Sequence, residues 1–153
     1  MVRRTRHALP VDSSLFFKLV RVVNLTARPF VETLARTHQL SLNEWRVMVV
    51  LASHPGVAAS DLALSTGLDK MSISRAIAAL SRHGRLEKKI DAKDGRRTLL
   101  WLNAAGLRVF RTIGESAKAR EAQLFGGIDP EELQRLEAVA DKLLNALSEA
   151  EQA

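Results

Sequence analysis

The chain has 153 residues, of which 46% are hydrophobic and 26% charged, with a formal net charge of +6 and no cysteine. That length suits one domain, or one compact domain with an extension, and the lack of thiols excludes disulfides, thiolate metal sites and cysteine redox sensing. No apolar run approaches the length needed to cross a bilayer. The start, MVRRTRHALP, is basic but has no apolar core, so it does not read as a secretory signal and the cytoplasm is the expected compartment.

Residues 1–12 read as a flexible basic arm carrying Arg3, Arg4 and Arg6. From Ser13 to about Thr37, Phe16, Val20, Val23, Ala27, Phe30 and Leu34 step by fours and threes. That is a helical seam with the 3.5 period suited to pairing with another helix. Pro29 removes one backbone donor inside it, which predicts a kink or local break. Ser41 followed by Glu44 forms a capping box that opens a second helix, Leu42 to about Ser53, with Leu42, Trp45, Val49 and Ala52 on one side. His54-Pro55-Gly56 ends it. A third, short helix spans about Ala59 to Thr66 and stops at Gly67, a residue free to take positive φ. Asp69 caps a fourth, about Lys70 to His83, closed by Gly84.

Two short extended runs follow, about Leu86–Ile90 and Thr98–Leu102, joined through Asp94-Gly95, a hairpin signal. Asn103 caps a fifth helix that fades near Gly126-Gly127. Asp129-Pro130-Glu131-Glu132 starts a sixth, with cap, proline and acid in order. Leu133, Leu136, Ala140, Leu143 and Leu147 give that helix one apolar seam.

Charge is unevenly spread. Residues 69–98 hold nine basic and four acidic side chains, while residues 99–153 are net −3. A concentrated basic zone points to a polyanionic partner. Within it, the fourth helix gathers Ile73, Ala76, Ile77 and Leu80 on one side of a helical wheel. Opposite lie Met71, Arg75, Ala78 and Arg82, flanked by Ser72, Ser74 and Ala79. A face exposed only to water usually collects Glu and Lys. This one pairs small residues, which permit close approach, with Arg and Ser donors for phosphates or base edges, and it starts at a helix N-terminus of positive polarity. Such a helix suits the DNA major groove. Ala63, Gly67 and Ile73 meet the three steric demands of a helix-turn-helix: a small residue where the helices nearly touch, a sharp turn, and an anchor for the second helix. Lys93, Arg96 and Arg97 at the hairpin tip, with Lys88 and Lys89 on its first strand, could reach phosphates or a neighbouring minor groove.

From Leu42 through Gly106 the chain resembles the winged helix-turn-helix of the MarR family of bacterial transcription regulators. The resemblance rests on Leu42-Asn43-Glu44-Trp45, Asp61-Leu62-Ala63, Gly67-Leu68-Asp69-Lys70, Ser74-Arg75, Leu80 and Gly84. It continues in the wing signature Asp94-Gly95-Arg96 and the closing Leu102-Asn103-Ala104-Ala105-Gly106. It implies a mainly α fold with a small two- to three-stranded β wing. The expected division is a winged helix-turn-helix DNA-binding domain over 41–103 and a helical dimerisation region made of 13–40 and 104–153. It also implies a homodimer on a pseudo-palindromic double-stranded DNA operator, often a repressor released by a small aromatic or anionic effector. Ser72, Ser74 and Arg75 match groove-facing positions, Arg96 the wing arginine, and Asp94 the acid expected to aim its guanidinium. With their neighbours, the expected DNA-binding residues are Lys70, Met71, Ser72, Ser74, Arg75, Arg82, Lys93, Arg96 and Arg97. An effector crevice is expected near His38, Trp45 and Arg46, although Trp45 also reads as core. Ala58 stands where a hydroxyl cap is usual, so the third helix should fray more easily.

No cofactor or metal site is expected: the four histidines lack ligand spacing, and there is no nucleophile elbow, Walker loop or HExxH. The competing reading is a helical interaction module whose basic face binds an acidic partner protein.

Overall fold

The structure, a computed structural model, describes residues 13–152. The basic arm expected over residues 1–12 lies outside the described residues. Helices α1 (Leu15–His38), α2 (Leu42–Ser53), α3 (Ala59–Thr66), α4 (Lys70–Arg82), α5 (Ala104–Phe125) and α6 (Pro130–Gln152) alternate with strands β1 (Val57–Ala58), β2 (Leu86–Ile90) and β3 (Thr98–Leu102). The chain divides into two compact units, one ending at Gly114 and the other beginning at Glu115.

In the first unit α1 starts where the Ser14 hydroxyl accepts from the Phe17 N–H, and it continues without interruption through Pro29. Of the kink or local break expected at Pro29, the break does not occur. Proline deletes one backbone bond, but the other turns of a 24-residue helix hold the segment together, and the Thr33 hydroxyl donates to the Pro29 carbonyl at 3.1 Å. The helix ends at Gln39, which takes the left-handed conformation without being glycine (φ 48°) and turns the buried Leu34 and Leu40 inward.

Helix α2 opens with the expected capping box: Glu44 N–H to the Ser41 hydroxyl at 3.2 Å, and Ser41 N–H to Glu44 Oε1 at 3.3 Å. Its buried face differs from the expected one. Val47, Met48 and Leu51 are fully inside with Trp45, whereas Val49 is 38% exposed and Leu42 and Ala52 are half-buried. Leu42, Trp45, Val49 and Ala52 share one face by spacing. The core lies a fraction of a turn away because α4 packs there, seating Ile73, Ala76 and Leu80 against α2 and α3.

A two-residue strand, β1, runs directly into α3. It completes an antiparallel sheet of order β1-β3-β2, with Val57 opposite Leu100 and Leu86 opposite Leu102. The turn before β1 requires glycine: Gly56 has φ +84°, and a Cβ there would come within 2.9 Å of the Trp101 ring. Ala58 caps α3 without any side-chain bond, as its missing hydroxyl dictates.

The return from the sheet into α5 is a clasp. The Asn103 side chain accepts from Gly106 N–H at 2.9 Å, which caps α5, and donates to the Gly84 carbonyl at 2.8 Å. Its backbone N–H reaches the Arg85 carbonyl at 3.1 Å. Gly106 packs against that same carbonyl, and a Cβ would run into it. In the second unit Asp129 starts α6 by accepting from Glu131 N–H.

Helix α4 owes its start to Asp69, whose carboxylate accepts from the Ser72 hydroxyl at 2.6 Å and the Ser72 N–H at 2.8 Å. These two bonds, the hydroxyl first, hold the Asp69 carboxyl below its ordinary value. A depressed carboxyl stabilises the fold fully above its unfolded pKa. That contribution disappears as pH falls through the folded value. Ser72→Ala removes the leading cause, so Asp69 should titrate at higher pH by carboxyl NMR, and acid should fray α4 sooner. Gly106→Ala should destabilise the protein by about 1–3 kcal/mol in urea unfolding, because a backbone carbonyl must move to admit the methyl group.

Candidate nucleic-acid interface

Helices α3 and α4 form the corner that the spacing of Ala63, Gly67 and Ile73 predicts. Gly67 takes φ +67° and donates its N–H to the Ala63 carbonyl at 2.9 Å, while Thr66 fastens the turn through a 2.6 Å bond to the Leu62 carbonyl. Ile73 is buried behind this turn. With Ile73, Ala76 and Leu80 inside, the remaining side of α4 faces out: Lys70, Met71, Ser74, Arg75, Ala78 and Arg82 are exposed, and Ser72 is half-buried. Met71, at 63% exposure, is a large apolar side chain in open solvent within an otherwise cationic and small-residue face.

Beside this face, a shallow slot of about 460 Å³ is lined by Ala59, Ile73 and Ile77, with Lys70 and Lys88 also on its wall. The slot joins the start of α3, the flank of α4 and strand β2. An apolar floor between two ammonium groups can take the edge of a sugar-phosphate backbone.

The hairpin tip, residues 91–97, is built by its own acids. Asp91 Oδ1 accepts from Lys93 N–H at 2.9 Å, and the Asp94 carbonyl accepts from Arg97 N–H at 2.9 Å. Asp94 was expected to aim the Arg96 guanidinium. Its carboxylate instead accepts from the Arg96 backbone N–H at 3.1 Å, so it shapes the turn rather than the side chain. Lys93 and Arg96 stand exposed. Arg97 has a different position: its Nη2 lies 2.8 Å from Asp61 Oδ2 on α3. Lys89 is also engaged, 3.1 Å from Glu87 and above the Trp101 ring. Nothing in the sequence announces the Asp61–Arg97 pair, whose members lie 36 residues apart.

The three residues named for an effector crevice lie at the α1–α2 corner. Trp45 is 8% exposed, stacked on Phe110 at 5.3 Å and edge-on to Phe30 at 5.7 Å, so its ring is part of the core. Arg46 reaches Asn43 at 3.4 Å. The His38 carbonyl accepts from the half-buried Arg85 guanidinium, a tie between α1 and the loop after α4. Among the described residues no group of three or more His, Asp or Glu could hold a metal ion, and no helix is long and apolar enough to cross a membrane.

Comparison with known proteins agrees with this geometry. A Thauera aromatica protein named for transcriptional regulation of the hcr operon is 28% identical over 111 residues, 72% of this chain and 66% of that protein; the chain thus spans about two thirds of that relative's length. The PcaV transcriptional regulator of Streptomyces coelicolor, solved with its natural ligand, superposes with a TM-score of 0.71 at 25% identity, covering 94% of this chain and 97% of that one. MepR of S. aureus, solved as a DNA complex, shares the fold with a TM-score of 0.79 at 17% identity, over 89% and 95% of the two chains. The model of the MarR family matches residues 38–97, the span from the α1–α2 corner to the end of the hairpin tip. By that match and by its winged helix-turn-helix, residues 38–97 of this chain are similar to the MarR family of regulators.

Proposed function

We propose that the protein is a homodimeric, sequence-specific DNA-binding transcriptional regulator of the cytoplasm, acting as a repressor that a small ligand releases. The observation that carries this reading is the outward side of α4. Met71, Ser74, Arg75, Ala78 and Arg82 are exposed together, beside a basic wing, on a helix whose opposite side is locked into the core. Lys70 and Ser72 sit at the helix N-terminus, where backbone N–H groups and positive polarity favour a phosphate. Lys93 and Arg96 extend the same positive surface to the wing. MepR, of the same fold, is a DNA-bound protein.

Dimerisation is supported by large apolar side chains exposed on each of the two units among the described residues. On α1, Phe16 is 76% and Val23 52% exposed; on α6, Leu136, Leu143 and Leu147 are 47–65% exposed. Apolar rows on that scale mark interaction surfaces, and the residues concerned belong to the segments assigned to a dimerisation region, 13–40 and 104–153. Two-fold symmetry would place the two α4 helices in successive major grooves about 34 Å apart on a pseudo-palindromic site. An aromatic or anionic effector would act at the α1–α2 corner near His38, Trp45 and Arg46, as PcaV binds a ligand within the same fold.

Selection of bound sequences from a randomised duplex pool tests the reading. A two-fold symmetric consensus is expected; binding without sequence preference would favour the interaction module with an acidic protein partner. On the selected site Arg75→Ala should cost about 1–3 kcal/mol and relax one base position. Arg96→Ala should lower the salt slope by about 1, and an unchanged slope would remove the wing from the phosphate contacts.

A further inference from the structure

The wing carries two successive arginines whose guanidinium groups have different surroundings. Arg96 is exposed, and no ion pair engages it among the described residues. Arg97 is bound to Asp61 at 2.8 Å, with both side chains 45% exposed.

Asp61 is the third residue of α3, where an acid ordinarily serves its own helix by accepting from the free backbone N–H groups of the first turn. That service would be useful here, since Ala58 supplies no cap. The carboxylate is directed elsewhere. Its Oδ1 accepts from the Ser60 hydroxyl at 3.2 Å and its Oδ2 from Arg97. From the other side, the remaining hydrogen bonds of the hairpin tip among the described residues close within it, joining Asp91 to Arg97 and Lys93, and Asp94 to Arg96 and Arg97. The tip would thus be held to the helices only through the β2–β3 ladder, were it not for Arg97.

The geometry points to Asp61 and Arg97 as a brace that fixes the wing on the start of α3, leaving Arg96 as the arginine offered to DNA. Both are positioning residues, and Arg97 acts through Asp61 rather than on a phosphate. The brace completes a closed path. Strand β1 fixes the start of α3 to β3 through the pairing of Ala58 with Leu99, and the ion pair returns from Asp61 to the residue just before β3. The inference rests on the DNA-binding reading for its consequence but not for its existence.

The sign of one substitution separates the alternatives. Asp61 is a negative charge close to a surface offered to a polyanion, so simple electrostatics makes Asp61→Asn tighten DNA binding, all the more if it freed Arg97 for a phosphate. Loss of a brace does the opposite. The experiment compares wild type, D61N, D61E, R97Q and D61N/R97Q as full chains, each checked by thermal melting. DNA affinity is measured on a pool-selected duplex over a range of salt, and backbone amide exchange on the free protein. D61N should weaken binding about two- to fivefold, the range of an exposed ion pair, and speed exchange at residues 91–97 while leaving α2 unchanged. D61E should behave as wild type, and the double variant should be no weaker than R97Q. R97Q should lower the salt slope by much less than the roughly 0.9 that one lost phosphate contact produces. D61N binding as tightly as wild type or tighter, or a full unit lost from the slope in R97Q, would overturn the brace. If the wild type selects no duplex, the DNA-binding reading fails by itself, and unchanged exchange at 91–97 in D61N would then refute the brace alone.

Discussion

Burial of a single stripe of α4 governs how this protein meets the outside. Ile73, Ala76 and Leu80 are held against α2 and α3, where Val47, Met48, Leu51 and Leu62 are fully enclosed. Enclosing a side chain such as Ile or Leu contributes about 1.5–3 kcal/mol, enough for a few of them to fix the rotation of a 13-residue helix about its own axis. Once that rotation is set, the direction of Arg75 and Arg82 follows from helical geometry alone. The outward face needs no stabilising contacts of its own, so its residues are free to be chosen for a partner.

The sheet adds a second constraint. Strand β3 is central, pairing with β1 at one end of its sequence neighbourhood and with β2 along its whole length. The α2–α3 turn and the hairpin are thereby joined through one strand. Trp101 lies across Gly56 on one face of that strand, and Leu100 and Leu102 are buried on the other. A two-stranded hairpin is marginal by itself; here it is part of the same core as the helices it flanks.

Helix ends were legible because capping is local chemistry. Ser41 with Glu44, Asp69, Asn103 and Asp129 each satisfy N–H groups within three residues, and Gly67 and Gly84 take the left-handed conformations their positions suggested. Features that depend on distant partners were not legible. Strand β1 has two residues, and only its pairing with Leu99 and Leu100 makes it a strand. The buried side of α2 is decided by where α4 lies, not by the spacing of Leu42, Trp45, Val49 and Ala52. Gln39 ends α1 in a conformation that usually advertises itself by a glycine. Within the interface, exposure of the α4 face followed from periodicity, but the different bonding of Arg96 and Arg97 did not, since two adjacent arginines look alike until the fold brings Asp61 to one of them.

The clasp of Asn103, Gly106, Gly84 and Arg85 also sets the limits of modularity. The hairpin leaves the helices after Gly84 and rejoins them at Asn103, and the two ends are bonded to each other at the first turn of α5. A chimaera that transplanted the wing of one such protein onto another would therefore inherit a compatible seam only if all four positions travelled together. Cut inside that quartet, the graft would bring a foreign side chain against the Arg85 carbonyl or leave the first turn of α5 uncapped, whatever the quality of the transplanted strands.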